Sequence, residues 1–268
     1  MLVKRKQERL WLVLLVCLTA LFCASCALIG RLWLHAHYNG ELAIAIERND
    51  ALAAEYCLQR GADPNMHVPQ PESWLKRWNR IFSPKTVGDV DTPTVLVESL
   101  LGPGDEGDNA TDHPDVTYAL IKHGADVNLK GWGWVPINAA ASQGKERSVK
   151  LLLDRGADAN AGQGTGFPAL FYAQVTPEIA RVMLAHGANV NMRDHEGKTL
   201  LEYTYIRRYH PTSLTLAQVF LDRGADVTLK DKRGDSPLSM AARSATAATL
   251  PSDPWYSLFR RYAHKQRH

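Results

Sequence analysis

The chain has 268 residues, of which 45% are hydrophobic and 22% charged, with a formal net charge of +3; these proportions exclude a disordered or fibrous protein and suit one ordinary domain or an array of repeats. Lys4, Arg5, Lys6 and Arg9 against Glu8 account for the whole of the +3, so the rest of the chain is neutral. A neutral body lacks the basic excess that displaces phosphate counterions, which argues against nucleic acid as a partner.

Residues 1–9 read as a basic cytoplasmic tail, and residues 10–30 carry no charge at all. A helix of that length, at ~1.5 Å per residue, spans the roughly 30 Å hydrocarbon core of a bilayer. Only Arg31 is basic in the ten residues after the run, so the positive-inside bias keeps the tail in the cytoplasm and sends the bulk of the chain across the inner membrane. Three readings of the segment stand side by side. It is a retained signal anchor; or a cleaved signal peptide, with small Ala24, Ser25 and Ala27 after the apolar core; or a lipoprotein signal with Cys26 as the lipidated residue. Against the last, Cys23 stands where a Leu-like residue is usual, and residues 28–34 are apolar for a tether. Each reading exports the remainder of the chain, beginning with a juxtamembrane linker at 31–38. Outside the uncharged run Cys57 is the lone cysteine, so no disulfide framework is available.

Beyond the linker the chain repeats itself. CLQRGADPN (57–65), LIKHGADVN (120–128), LLDRGADAN (152–160), MLAHGANVN (183–191) and FLDRGADVT (220–228) align on Gly61, Gly124, Gly156, Gly187 and Gly224. A second, worn signature recurs at the start of the first helix as Thr92-Pro93, Val135-Pro136-Ile137-Asn138-Ala139-Ala140, Phe167-Pro168, Thr199-Leu200-Leu201 and Ser236-Pro237-Leu238; the first unit, from Gly40-Glu41-Leu42, lacks it, and the last, from Ser236, lacks the glycine motif. Proline at the first helical position has its φ already set and forgoes a hydrogen bond that position would not make. Glycine after the second helix can enter the left-handed conformation that closes a helix end. The apolar pair ahead of each glycine is expected to face the neighbouring unit, because one helical pair cannot bury its own apolar face.

These motifs resemble the ankyrin repeat, whose period is about 33 residues. The resemblance covers residues 39–265 and implies an all-α solenoid of about six helical pairs with hairpin fingers, preceded by the one N-terminal transmembrane or signal helix. The chain is similar to the small exported ankyrin proteins of bacteria. That similarity implies protein binding without catalysis, a protein partner, and no cofactor or small-molecule substrate. A sharper reading within the same class is an immunity protein that neutralises a periplasm-acting toxin.

Two insertions break the period, at about 66–91 and 102–113. With Pro93 taken as the helix start, they explain the wide spacing of Gly61 and Gly124 as one swollen repeat. The second insertion is acidic and rich in glycine, a solvated loop. The first holds PESWLKRWNRIF (71–82), where Trp74, Trp78, Ile81 and Phe82 recur at helical spacing among Lys76, Arg77 and Arg80. Trp74, Arg77, Trp78 and Arg80, with Trp132 and Trp134 of the next finger, are therefore candidate partner-binding residues, since Trp and Arg are favoured interface anchors. The alternative is that the aromatic face of 71–82 folds back on Trp132 and Trp134. A third reading is contact with the bilayer surface as an envelope-associated factor. The sequence has no HExxH, GxSxG or phosphate loop and no Cys/His cluster of zinc spacing, so neither a catalytic residue nor a metal ligand is expected.

Overall fold

The computed structural model describes residues 2–68, 92–101, 112, 114–162, 168–172, 174–244 and 252–266, with residues 2–22 and 27 described by backbone alone. Among these residues the regular structure is helical, and β-pairing is confined to three isolated bridges. Six pairs stand in chain order: the C-terminal part of α1 (Leu2–Glu47) with α2 (Ala51–Gln59); α3 (Val95–Leu101) with α4 (Pro114–Lys122); α5 (Pro136–Ser142) with α6 (Glu146–Asp154); a single 3₁₀ turn (Ala169–Phe171) with α7 (Pro177–Ala185); α8 (Leu200–Ile206) with α9 (Ser213–Asp222); and α10 (Pro237–Ser244) with α11 (Pro254–Lys265). First members pack on first members, and second on second through α9, giving two rows with one apolar core between them.

The glycine motif builds each unit twice over. In the third pair the Gly156 N–H donates to the Leu153 carbonyl at 3.0 Å and the Ala157 N–H to the Leu152 carbonyl at 3.0 Å. This is the Schellman closure, and it requires the left-handed φ of +86° found at Gly156. Leu152 and Leu153, whose carbonyls accept these bonds, put their side chains into the core. One dipeptide therefore ends the helix and fills the interior.

The asparagine at the end of the motif joins neighbouring units. Asn128 donates from Nδ2 to the Gly156 carbonyl at 3.2 Å and accepts at Oδ1 from the Asp158 N–H at 2.9 Å. Asn160 does the same to Gly187 and Asn189, and Asn191 to Gly224 and Asp226. Only an amide can donate and accept from one planar group, which is why asparagine serves here and aspartate could not. Asn65 reaches Gly124 and Asp126 across the long gap in the same way, so that stretch stacks as a single repeat. The ladder starts at Asn39 of α1, which accepts from the Asp63 N–H at 2.8 Å. It stops at Thr228, which has no amide; beyond it Gln266 donates to the Ala225 carbonyl at 2.8 Å. Histidines ahead of two glycines add outer links, His123 to Glu55 at 3.1 Å and His186 to Asp154 at 3.2 Å. Lys122, with His123, holds the Glu55 carboxyl at about 2.

Three details differ from the sequence reading. Pro93 does not begin the helix of the second pair. Its carbonyl accepts from the Val68 N–H at 2.8 Å, and Thr94 pairs with His67 as a bridge. Pro93 therefore belongs to the returning arm of the finger, and α3 starts two residues later at Val95, with the Thr94 hydroxyl accepting from the Val97 N–H. The stretch 31–38, expected as a linker, is helical and continuous with both the uncharged run and the first pair, so α1 is one helix of 46 residues. Finally, among the described residues no helix is long and apolar enough to cross a membrane; the side chains of 10–22 and 27, most of the uncharged run, lie outside them.

The second insertion is tied down at its far end. Asp112 accepts from the Ser148 hydroxyl at 2.6 Å and the Ser148 N–H at 3.2 Å, capping α6, whose own preceding residue Lys145 makes no side-chain cap. The final pair closes on Trp255, Leu258 and Phe259, all buried. Tyr262 stays partly exposed, and its hydroxyl donates to Asp222 of the preceding unit.

Candidate functional site

Of the six candidate binding residues, Trp74, Arg77, Trp78 and Arg80 lie outside the described residues. Trp132 and Trp134 share the third finger but part company there. Gly131 and Trp134 exchange backbone hydrogen bonds of 2.8 and 2.9 Å across a two-residue turn in which Trp132 (φ +56°) and Gly133 (φ +72°) are both left-handed. This is the primed hairpin turn, and Asn or Gly normally takes its first central position. A tryptophan there is strained by about 1–2 kcal/mol, yet its side chain is 52% exposed. Trp134 points the other way and stacks on Tyr172, with ring centroids 5.5 Å apart. Cys26, the lipidation candidate, is exposed on α1.

Tyr172 leads into a feature that reading by motif did not reveal. One residue fewer separates Pro168 from Pro177 than separates the matching Pro136 from Glu146 in the pair before. Pro177 also holds Thr176 extended (φ −81°, ψ 161°), and Tyr172 is extended as well. In the third pair the tight turn between the helices uses Gly144 at φ +68°. The short link of the fourth pair has no room for a second helical turn before that connection, so a single 3₁₀ turn forms. A groove of about 840 Å³ opens beside it, walled by Gln143 and Gly144, by α8, and by the α8–α9 loop from Tyr209 to Ser213. The four extra residues near Tyr209-His210-Pro211-Thr212, which the sequence shows only as a longer connection, form this wall. The detectable signal was the spacing of 31 between Gly156 and Gly187, the shortest in the array.

Aromatic and basic groups run along the groove. Phe171 meets Tyr203 edge-on at 5.0 Å, and Arg207 lies over the Tyr203 ring at 5.8 Å. Tyr203 donates its hydroxyl to Asp194 at 2.8 Å. Burial first, and then that carboxylate, push the phenol up to about 12, and burial also raises Tyr172. Both remain protonated donors at neutral pH. Arg208 is held between the rings of Tyr205 and Tyr209, at 4.9 and 4.8 Å, and Tyr209 is 87% exposed. On the same helix Glu202 completes a capping box with Thr199. Its side chain is fully buried, its Oε1 has no hydrogen-bond partner among the described residues, and burial raises the carboxyl to about 7.

This arrangement offers an exposed strained tryptophan, a stacked Trp134–Tyr172 pair and a basic aromatic groove along one side of the stack. It is equipped to hold another chain by contact.

Residues 109–194 and, overlapping them, 139–231 match the family model described as ankyrin repeats in three copies. Over 94 residues the chain is 37% identical to the E3 ubiquitin-protein ligase Ufd4 of Drosophila melanogaster, covering 34% of this chain and 3% of that protein. It is 37% identical over 62 residues to the ankyrin repeat protein nuc-2 of Neurospora crassa, covering 22% and 6%. It is 33% identical over 91 residues to a putative ankyrin repeat protein of Acanthamoeba polyphaga mimivirus, covering 32% and 12%. The chain thus spans no more than about an eighth of the length of these curated relatives.

Proposed function

We propose that this chain, an ankyrin-repeat protein, is a non-catalytic scaffold that binds a protein partner through its fingers and the adjoining groove, and that it is tethered to the inner membrane with its repeats on the periplasmic side. The observation that carries the binding reading is Trp132. A bulky residue is held in a left-handed turn position at a backbone cost, with half its surface in solvent, where asparagine would serve the fold better. Strain kept where it does not serve the fold marks a site of function. Replacing Trp132 by Asn should therefore raise stability by about 1 kcal/mol while reducing the partner recovered by affinity capture from intact membranes. Stability and capture are measured on the same variant; undiminished capture would remove Trp132 from the interface.

Two features support the tether. The basic tail precedes an uncharged run of spanning length. At the end of that run and just beyond it Leu28, Ile29, Leu32, Trp33 and Leu34 stand 42–68% exposed on α1, an apolar sleeve that a lipid interface would cover. A phosphatase that is active only after export, fused behind residue 268, should be active. A well-expressed but inactive fusion would put the repeats on the cytoplasmic side.

A further inference from the structure

We infer that the groove of the fourth pair is the seat for a short acidic segment of the partner protein, with an apolar side chain on the groove floor and a carboxylate at Arg207. The inference rests on the scaffold reading above and goes beyond it by giving the chemistry of what is bound. The floor is apolar: Val175 and Phe220 are 4% and 1% exposed and Leu216 is half-buried. The rim is basic. Arg207 and His210 both line the groove, and no aspartate or glutamate does. Among the described residues no carboxylate comes within 4 Å of Arg207, although Arg181 and Arg243 each have one. The Arg207 guanidinium makes one long bond, to the Phe171 carbonyl at 3.4 Å, which leaves most of its fork of donors for a ligand. A carboxylate is the planar acceptor that fits such a fork with two parallel bonds. The Tyr172 hydroxyl, a neutral donor, also lines the groove.

Size and continuity favour a peptide. About 840 Å³ is within the range of pockets that bury most of a bound ligand. Tyr172 both lines the groove and stacks on Trp134 of the third finger, so a chain held at the fingertip runs directly into it. The groove also lies in the row of first helices, where the neighbouring pairs place a second helical turn. A partner segment seated there would supply apolar contacts of the kind that α5 and α8 make for themselves.

The test is selection of displayed random octapeptides on the full-length protein in detergent. Enriched peptides should place Asp or Glu next to a large apolar residue. The best of them, made synthetically, should bind at least tenfold more weakly to Arg207→Gln and to Gln174→Trp, the second of which plugs the groove from an exposed position. If Arg207→Gln fails to fold, Gln174→Trp alone decides. No enrichment, enrichment without an acidic residue, or unchanged binding to the folded variants would each overturn the inference. Partner capture separates this from the scaffold reading. A partner captured equally by wild type and by Gln174→Trp leaves the scaffold and refutes the groove, whereas no partner captured by wild type refutes the scaffold itself.

Discussion

Replacing Gly131 by alanine should destabilise the repeat array by about 3 kcal/mol, near the top of the range for overpacking substitutions. A Cβ at Gly131 would overlap the backbone nitrogen of Thr94 and press on the Pro93 backbone. No rotamer change can relieve a clash with backbone, so the second and third fingers must separate. Separation would also break the bond from the Trp132 N–H to the Thr92 carbonyl, now 3.2 Å. Gly133→Ala is the internal control. It shares the turn and has a left-handed φ of +72°, but a Cβ there meets nothing within 4 Å, so its cost is the backbone term alone, about 1–2 kcal/mol. Denaturant unfolding of the two variants should rank Gly131→Ala well below Gly133→Ala; equal midpoints would mean that the fingers do not pack as described.

Glu202→Gln should stabilise the protein at pH 8, by up to about 3 kcal/mol, and leave it nearly unchanged at pH 4.5. The carboxyl is raised from 4.5 to about 7, by burial first, against the opposing hydrogen bond from the Thr199 N–H and with repulsion from Asp231 and Asp194 adding to the rise. A carboxyl raised on folding favours the folded state most where it is protonated. The stability it lends is therefore complete below about 4.5 and is lost as pH climbs through about 7. Glutamine copies the neutral form, and it can still reach back to the Thr199 N–H, as position N3 of a capping box allows. The difference between the two proteins should open across that window, measured as unfolding free energy against pH. Parallel curves would show that Glu202 is solvated.

The contrast between Gly156 and the fourth pair explains how much could be read in advance. The GADxN stretch was legible because each residue answers to one local demand: left-handed backbone at glycine, a paired amide at asparagine, core volume at the dipeptide before. Such demands recur with the unit and leave a recurring pattern. The groove arises instead from a link one residue shorter between motifs that are themselves intact, and a pattern anchored on Gly156 and Gly187 passes over that deletion. The slip at Pro93 has a related cause. Proline suits both the first helical position and the arm of a finger, and only the pairing of residues 66–68 with 93–95 decides between them. Trp132 and Trp134 looked alike as anchors because their difference lies in a two-residue turn that sends one ring outward and the other onto Tyr172. Arg207 left no mark at all, since its distinguishing feature is the lack of a nearby carboxylate in space.

The asparagine ladder has a direction. From Asn65 onward, each rung is supplied by the unit nearer the N-terminus and is received by the Gly and Asp, or Asn, of the next unit along the chain. A chain threading out of a ribosome or a translocation pore presents its beginning first. Each amide is therefore already in the open when the backbone it must grip emerges. The array can thus be laid down unit by unit in the order of its synthesis.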